Sequence, residues 1–402
     1  MRINGVRSYV FTIAEVSMAA DKVRFGVIGT GGMGSGHCRT IPSIPETELT
    51  AICDINPDTR AALSEKHGVP AFATHTELLD SGLVDAVTIA TPHYFHPPIA
   101  IEAFSKGIHV LSEKPLAVTV SAVDAMIAAA RASGLKFGVM YQMRGEPQNQ
   151  AARKIVESGV LGDVYRTSLV MAWYRSQAYY NSGGWRATWI GEGGGVLINQ
   201  APHYLDLFSW LGGLPTSITA QTRTRLHNIE VEDEAFATLE YANGAHGYLY
   251  ASTTEMPNNN KLEVCGDKGK LILDNGDIKL YTLDGSLRDF TQTCESMWGS
   301  PTVTETPVDV KVQAEDEIKG HAAITRNFAR SILFGEELIA PGYDGINAVE
   351  LINGMILSSK TGKTVSVPVD RAAYDHILEE LKATSISKGE VKEQRITDPN
   401  FV

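Results

Sequence analysis

The chain has 402 residues, more than one ordinary domain, with the 43% hydrophobic and 20% charged content of a globular protein. A net charge of −12 argues against nucleic acid and anionic membranes as partners, since both require basic surfaces. No run approaches the roughly 18 apolar residues of a membrane span, and Cys38, Cys53, Cys265 and Cys294 are scattered, which points to reduced thiols in a cytoplasm, no disulfide framework and no metal site.

Residues 1–22 read as an extension. Tyr9 to Ala14 is an apolar stretch after Arg2 and Arg7, the outline of a signal peptide, but Glu15 cuts it short. A loose arm or an interface segment is the other reading. Residues 23–28 then form a predicted strand, followed at once by Gly29-Thr30-Gly31-Gly32-Met33-Gly34 and a helix start. This is G-x-G-x-x-G in strand–turn–helix context. Gly29 permits the tight turn, Gly31 lets the backbone approach a pyrophosphate, and Gly34 lets helix pack on strand. The helix N-terminus offers free N–H groups and a positive dipole end.

A second strand over residues 48–53 ends in Asp54, roughly 20 residues beyond Gly34, where the fingerprint wants an acid. There it accepts hydrogen bonds from a ribose and repels a 2′-phosphate, so NAD is expected over NADP. The plainer reading is that Asp54 caps the loop before Pro57. Residues 84–90 form a third strand, ending in Thr91-Pro92-His93-Tyr94-Phe95-His96. Ile108 to Leu111, after a helix stopped by Gly107, form a fourth, ending in Glu113-Lys114-Pro115. Ser121 opens the next helix, which closes at Gly134, and residues 135–141 form a fifth strand. Strands alternating with helices predict a parallel, doubly wound sheet with Thr91, Glu113 and Tyr141 on the carboxyl edge, where ligands bind. Glu113-Lys114 is either an ordinary strand-end ion pair or a lysine whose pKa is lowered in a dry crevice.

After Gly145 the pattern changes to a helix over 151–157 and then β-like runs at 164–172, 217–224, 235–241, 246–252, 269–273 and 278–281. Asn243-Gly244 between two of them signals a hairpin. An antiparallel sheet follows, with one face open to a subunit partner. Residues 173–189 hold three of the five tryptophans, Trp173, Trp185 and Trp189, with Tyr174, Tyr179, Tyr180, Arg175, Asn181 and Arg186. Aromatic faces beside donors suit a polyhydroxylated ring; ordinary core packing is the alternative. Gly193-Gly194-Gly195 leads to Asn199, Gln200, His203, Tyr204 and Asp206. With helix from Gln200, Asn199 and His203 lie one turn apart on one face, and His203 and Asp206 are near neighbours.

Taken together, the Gly29–Gly34 turn, Thr91-Pro92 with His96, Glu113-Lys114-Pro115, Arg144 with Pro147, Gly159-x-x-Gly162, Trp185-Arg186, the glycines before His203 and Val231-Glu232-Asp233 resemble the Gfo/Idh/MocA family, the relatives of glucose–fructose oxidoreductase and inositol dehydrogenase. The match spans residues 23–368. The resemblance implies an α/β protein: an N-terminal Rossmann domain over 23–145, and a substrate-binding α+β domain over 146–368 with a large, mostly antiparallel open sheet. Residues 345–368 return to the first domain, and 369–402 form a C-terminal extension. It implies a homodimer or homotetramer through that sheet, and a cis bond before Pro115.

It further implies NAD(P) held by Gly29, Gly31, Gly32, Met33, Gly34, Asp54, Thr91, His93, His96, Glu113, Lys114, Gln142 and Arg186, with Lys114 and His203 flanking the reacting carbon. Substrate contacts are expected from Asn199, Tyr174, Arg175, Trp185 and Tyr204. Many members carry aspartate where Asn199 stands; asparagine takes up no proton and only orients the substrate. The expected reaction is NAD-dependent oxidation of a secondary hydroxyl of a pyranose, glycoside or cyclitol, with C3 of a glucopyranosyl ring favoured and either Lys114 or His203 as base. Two other readings are a glycoside-cleaving lyase or hydrolase that oxidises C3 transiently, with Tyr174, Tyr179 or Tyr204 as acid, and a non-catalytic sugar-binding regulator.

Overall fold

The structure is a computed structural model that describes residues 22–310, 318–386 and 388. Nearly all of the N-terminal extension, and the end of the C-terminal one, lie outside these residues.

Six parallel strands, β1 (Val23–Ile28), β2 (Thr47–Cys53), β3 (Ala71–Phe72), β4 (Ala86–Ile89), β5 (His109–Ser112) and β6 (Phe137–Val139), lie in the order β3-β2-β1-β4-β5-β6. Most of their side chains are apolar and buried, as expected of strands covered by helices on both faces, with Arg24, Glu48 and His109 near the strand starts as polar exceptions. The order reverses between β1 and β4, so a crevice opens there at the carboxyl edge. The glycine turn is dictated by contact. Gly29 has φ +84°, and a Cβ on Gly34 would sit 1.8 Å from the Gly29 carbonyl oxygen. The helix after β5 (Val120–Ser133) starts two residues earlier than the sequence suggested. Thr119 is its cap and accepts the Ala122 N–H, while Ser121 bonds Asp375.

The remaining strands are β7 (Val164–Ala172), β8 (Ser217–Arg223), β9 (Glu234–Glu240), β10 (His246–Ser252), β11 (Asn259–Gly266), β12 (Gly269–Asp274), β13 (Asp277–Leu283), β14 (Val303–Thr306) and β15 (Val365–Ser366). They form one sheet, β14-β13-β12-β11-β7-β10-β9-β8-β15. β7 and β10 run parallel and the other neighbours antiparallel. In β9 and β10 burial alternates, with Phe236 and Tyr248 47% and 38% exposed on one face. Helices cover the other face.

Among the contacts that join the halves, two bear on the position of the site. The helix Gly345–Thr361 reaches the first half through Asn353, whose side chain accepts the Val120 N–H and donates to the Val118 carbonyl, each at 2.9 Å. The same helix holds β8, where Ser358 accepts the Ala220 N–H. The second connection is Arg144, just after β6 and 1% exposed. Its guanidinium takes both oxygens of buried Asp206 at 2.6–3.2 Å and Asp344 at 2.6 Å, and lies 4.8 Å over the Trp210 ring. Asp206 therefore serves Arg144, not His203 as its spacing suggested.

The expected helix from Gln200 is also revised. A short helix, Val196–Asn199, ends there, and a second, Pro202–Gly212, begins with proline in its first turn. Asn199 and His203 thus belong to different helices. Glu232 holds the first of them. Its buried carboxyl accepts the Gly195 and Leu197 N–H groups at 2.8 and 3.0 Å, and its other oxygen has no partner.

Arg144→Met is expected to lower the unfolding free energy in a denaturant titration by about 3–5 kcal/mol, because Asp206 stays buried without its partner. Adding Asp206→Leu should recover most of that loss, and no recovery would mean the pair is not the cause. Burial raises the Glu232 carboxyl from 4.5 to about 7 against its hydrogen bonds. The folded state then holds a proton the unfolded chain has released, so stability falls as pH rises from about 4.5 to about 7, by on the order of 3 kcal/mol. Glu232→Gln keeps the acceptor and should flatten the fall in Tm between about pH 5 and about pH 8; an equally steep fall would rule this group out.

Candidate active site

The carboxyl edge of the first sheet gathers the chemistry that the loops leave there. Thr91 follows β4, Glu113 and Lys114 follow β5, and Gln142 opens the 3-10 turn Gln142–Gly145 after β6. From the other half come the two short-range neighbours of the triple glycine: Asn199, ending its helix, and His203, in the first turn of the next. The Lys114–Pro115 bond is cis.

Lys114 donates from Nζ to the Asn199 carbonyl at 2.9 Å. Burial lowers its pKa from 10.5, helped by Arg186 and Arg175 and opposed by Glu113 and Glu192. His203 is 8% exposed and its Nε2 lies 3.3 Å from the Gln142 amide nitrogen, while its Nδ1 and the Gln142 carbonyl oxygen are buried without a protein partner. Burial, and then the positive charge of Lys114, push His203 well below 6.5. It is a neutral imidazole at physiological pH, with one nitrogen free to exchange a proton with a ligand.

Glu113 does not meet the Lys114 ammonium. One oxygen lies 2.7 Å from His37 Nε2 and the other accepts the Lys114 backbone N–H at 3.2 Å. Burial works against its charge, yet the His37 hydrogen bond and charge prevail and hold the carboxyl down at about 2. His37, on the helix after the glycine turn, stacks edge-on with His321 at 5.6 Å. His96 places its two ring nitrogens 2.9 and 2.7 Å from the Pro115 and Thr91 carbonyls, so a neutral ring satisfies one of them at a time. It braces the loops around Lys114.

On the far side, Tyr179 is the hub. Its hydroxyl donates to Asn199 Oδ1 at 3.1 Å and accepts from Arg186 at 2.5 Å and Gln200 at 2.8 Å. The Arg186 guanidinium lies over the Tyr179 and Trp185 rings at 4.3 and 4.6 Å. Arg175 lies over Trp173 and Tyr179. His93 packs edge-on to Trp185 and reaches the Glu192 carbonyl at 3.1 Å. The aromatic stretch therefore splits: Tyr179, Trp185, Arg175 and Arg186 surround the centre, while Tyr180 is 1% and Trp189 5% exposed, in the core. Tyr174 stands apart, 40% exposed, with its backbone N–H on Asn258. Tyr204 packs against the core, its hydroxyl pushed up to about 12 by burial.

The Asn199 side chain, expected to meet substrate, is largely spent inside the protein, on Tyr179, Gln200 and Glu192. Glu192 and His37 are residues the sequence reading missed. His37 was findable as the first titratable side chain after the glycines, but nothing in spacing marked Glu192.

The residues of the first half fit a dinucleotide. A Cβ on Gly31 would meet no protein atom within 4 Å, so no internal contact accounts for an open approach there. The helix Gly32–Thr40 has neither a side-chain cap nor an acid in its first turn, leaving its N–H groups for a phosphate. Met33 is 49% exposed beside them. Thr91 Oγ1 is buried without a partner. Asp54 is fixed by the Thr30 N–H and hydroxyl at 2.7 and 2.9 Å and by the Asn56 N–H at 2.9 Å. Arg60, six residues further on, donates to the Asp54 backbone carbonyl at 2.7 Å. Among the described residues no cluster of three or more histidines, cysteines or acids is placed to hold a metal, and no helix is long and apolar enough to cross a membrane.

Comparison with known proteins agrees with this geometry. Residues 23–141 match the oxidoreductase family with an NAD-binding Rossmann fold, and residues 149–272 match the GFO/IDH/MocA C-terminal domain. The chain is 25% identical to scyllo-inositol 2-dehydrogenase (NADP(+)) of Bacillus subtilis over 89% of this chain and 99% of that protein. It is 28% identical to D-glucoside 3-dehydrogenase of Escherichia coli over 63% of this chain and 77% of that one. The WlbA dehydrogenase of Bordetella pertussis, solved with NADH and UDP-GlcNAcA, superposes with a TM-score of 0.74 at 28% identity, covering 87% of this chain and 100% of that one. The two matches together cover most of the chain: it belongs to the Gfo/Idh/MocA family of oxidoreductases, with an NAD-binding Rossmann fold.

Proposed function

We propose that the protein oxidises a secondary hydroxyl of a pyranose sugar, glycoside or cyclitol, with C3 of a glucopyranosyl ring as the favoured position and NAD as the favoured cofactor. The observation that carries this is the convergence of Lys114 with a neutral, buried His203 at the carboxyl edge beside the glycine turn. The relatives named for inositol and glucoside oxidation support the substrate class. The rings of Trp185 and Tyr179, capped by Arg186, supply the stacking and donor surface that a polyol needs.

When bound, the nicotinamide supplies the hydride acceptor. The chain handles the proton. His203 takes it from the substrate hydroxyl, since burial and the neighbouring Lys114 keep the ring unprotonated. Lys114 donates to the same oxygen and stabilises the developing alkoxide charge. Its link to the Asn199 carbonyl aims the ammonium without neutralising it. Asp54, a carboxylate beside the first glycine turn, supports NAD by repelling a 2′-phosphate. Arg60 is spent on the Asp54 carbonyl. Of the three candidate acids for bond cleavage, Tyr179 has its hydroxyl committed to Asn199, Arg186 and Gln200, Tyr174 is 40% exposed and apart from these groups, and Tyr204 packs against the core, which favours simple oxidation over the lyase reading.

The direct test is NADH formation from a panel of glucosides, inositols and levoglucosan, with NAD and NADP run in parallel. Accumulation with NAD and a keto product at C3 is the expected result; NADPH formation at higher kcat/KM would reverse the cofactor assignment. Lys114→Ala should reduce kcat by roughly 100-fold or more while NADH affinity stays near the native value; near-normal turnover would remove Lys114 from the reaction. Because His203 titrates below its ordinary 6.5 and Lys114 below its ordinary 10.5, kcat/KM for oxidation should hold through neutrality, fall on the acid side where the imidazole is protonated, and fall again on the alkaline side where the ammonium is lost.

A further inference from the structure

Glu192 is an acid enclosed in the site, 1% exposed; burial raises its pKa from 4.5, and Arg186, the Ala187 N–H, the Asn199 amide and Lys114 oppose that rise by favouring the charged form. One oxygen accepts from the Asn199 carboxamide. The other accepts the Ala187 N–H at 2.5 Å. Ala187 is held at φ +56°, a left-handed conformation that L-residues resist, and the turn aims its N–H inward at the carboxylate. Arg186 is 3.6 Å away but spends its closer contact on Tyr179. Asn199 is the link outward. Its carboxamide is fixed by Glu192 on one side and by Tyr179 and Gln200 on the other, and its carbonyl receives the Lys114 ammonium at 2.9 Å. Across the lysine, Glu113 is committed to His37.

We propose that Glu192 is the positioning residue of this centre: through Asn199 it aims the Lys114 ammonium, and it is the counter-charge for that ammonium on the substrate side. The catalytic consequence rests on the dehydrogenase reading above; the charge relation does not. Other groups also act on Lys114. Glu113 faces it from its own strand end, and Arg175 and Arg186 from the aromatic segment. His93 and His96 face it from the loop after β4, His203 from the helix Pro202–Gly212, and His321 from the helix Gly320–Phe334. Glu192 itself faces Arg186, Lys114 and Lys388 and the hydroxyls of Tyr179 and Tyr180. Among the groups acting on the Lys114 charge, Glu113 and Glu192 raise its pKa, and Arg186 and Arg175 lower it further.

The test is the pH dependence of Lys114 acetylation by acetic anhydride, read by peptide mass spectrometry on the full chain without cofactor or sugar. Only the unprotonated amine reacts. In Glu192→Gln the midpoint should fall by about one pH unit, because the ammonium loses its counter-charge. Glu192→Asp, which keeps the charge, should stay near the native midpoint. Adding Asn199→Asp to Glu192→Gln should move the midpoint back up by restoring a carboxylate next to the lysine. An unchanged midpoint in Glu192→Gln, or an equal fall in Glu192→Asp, overturns the proposal. A shifted midpoint in a protein that makes no NADH from any sugar would instead overturn the dehydrogenase reading and leave Glu192 in its role. With an active enzyme, the Glu192→Gln pH profile should move in the same direction at unchanged NADH affinity.

Discussion

The buried ion pair of Arg144 with Asp206 is the constraint on which the site depends. Asp206 stands one turn beyond His203 on the same helix, and Arg144 two residues beyond Gln142 on the turn after β6. A two-oxygen grip at 2.6–3.2 Å fixes the separation and rotation of those two elements together. His203 and Gln142 then have one place to be, side by side at 3.3 Å. Asp344 on the same guanidinium ties in the start of the helix Gly345–Thr361, which in turn holds both sheets. Such a pair is costly to bury and adds little net stability over an apolar core. Its value here is registration: it places a histidine from one domain against a lysine from the other.

Burial then sets the chemistry. Desolvation is the leading influence on His203 and Lys114 alike, and it lowers both. Two adjacent cations would repel in so dry a place, and the imidazole yields its proton first. The carboxylates divide the work. Glu113 is held ionised by His37 and braces the Lys114 backbone, whereas Glu192 lies across the lysine among Asn199, Ala187 and Arg186. The polar network is dense because each buried group needs a partner, and among the atoms left without one are His203 Nδ1, Gln142 Oε1 and Thr91 Oγ1, at the site where a ligand would supply it.

Much of this was legible in the sequence. β1, β7 and β10 have the ends the pattern indicated, because apolar runs of β-branched and aromatic residues bounded by glycine or polar turns leave little choice. β11 was not legible. Lys261 and Glu263 interrupt its apolar positions, and they sit on a face where Arg166 and Lys261 pair with Glu263. β3, β14 and β15 are too short to carry a period. The break between Asn199 and His203 was misread because helical spacing says nothing about a proline at the start of a second helix.

By itself, the sequence determined the nucleotide-binding half, since the left-handed backbone at Gly29 and the approach of Gly34 to the Gly29 carbonyl both require glycine, and Lys114 emerges at the edge of the sheet. It also marked His203 as a candidate. Only the tertiary structure decided what those residues touch. Asp206 turned from histidine neighbour to arginine anchor, the Asn199 side chain meets Tyr179, Gln200 and Glu192, and Glu192 turned from an unmarked loop residue to a buried acid beside them. The reason is physical: hydrogen bonds between side chains far apart in sequence are set by how the two sheets and the helices between them dock, and no local period encodes that distance.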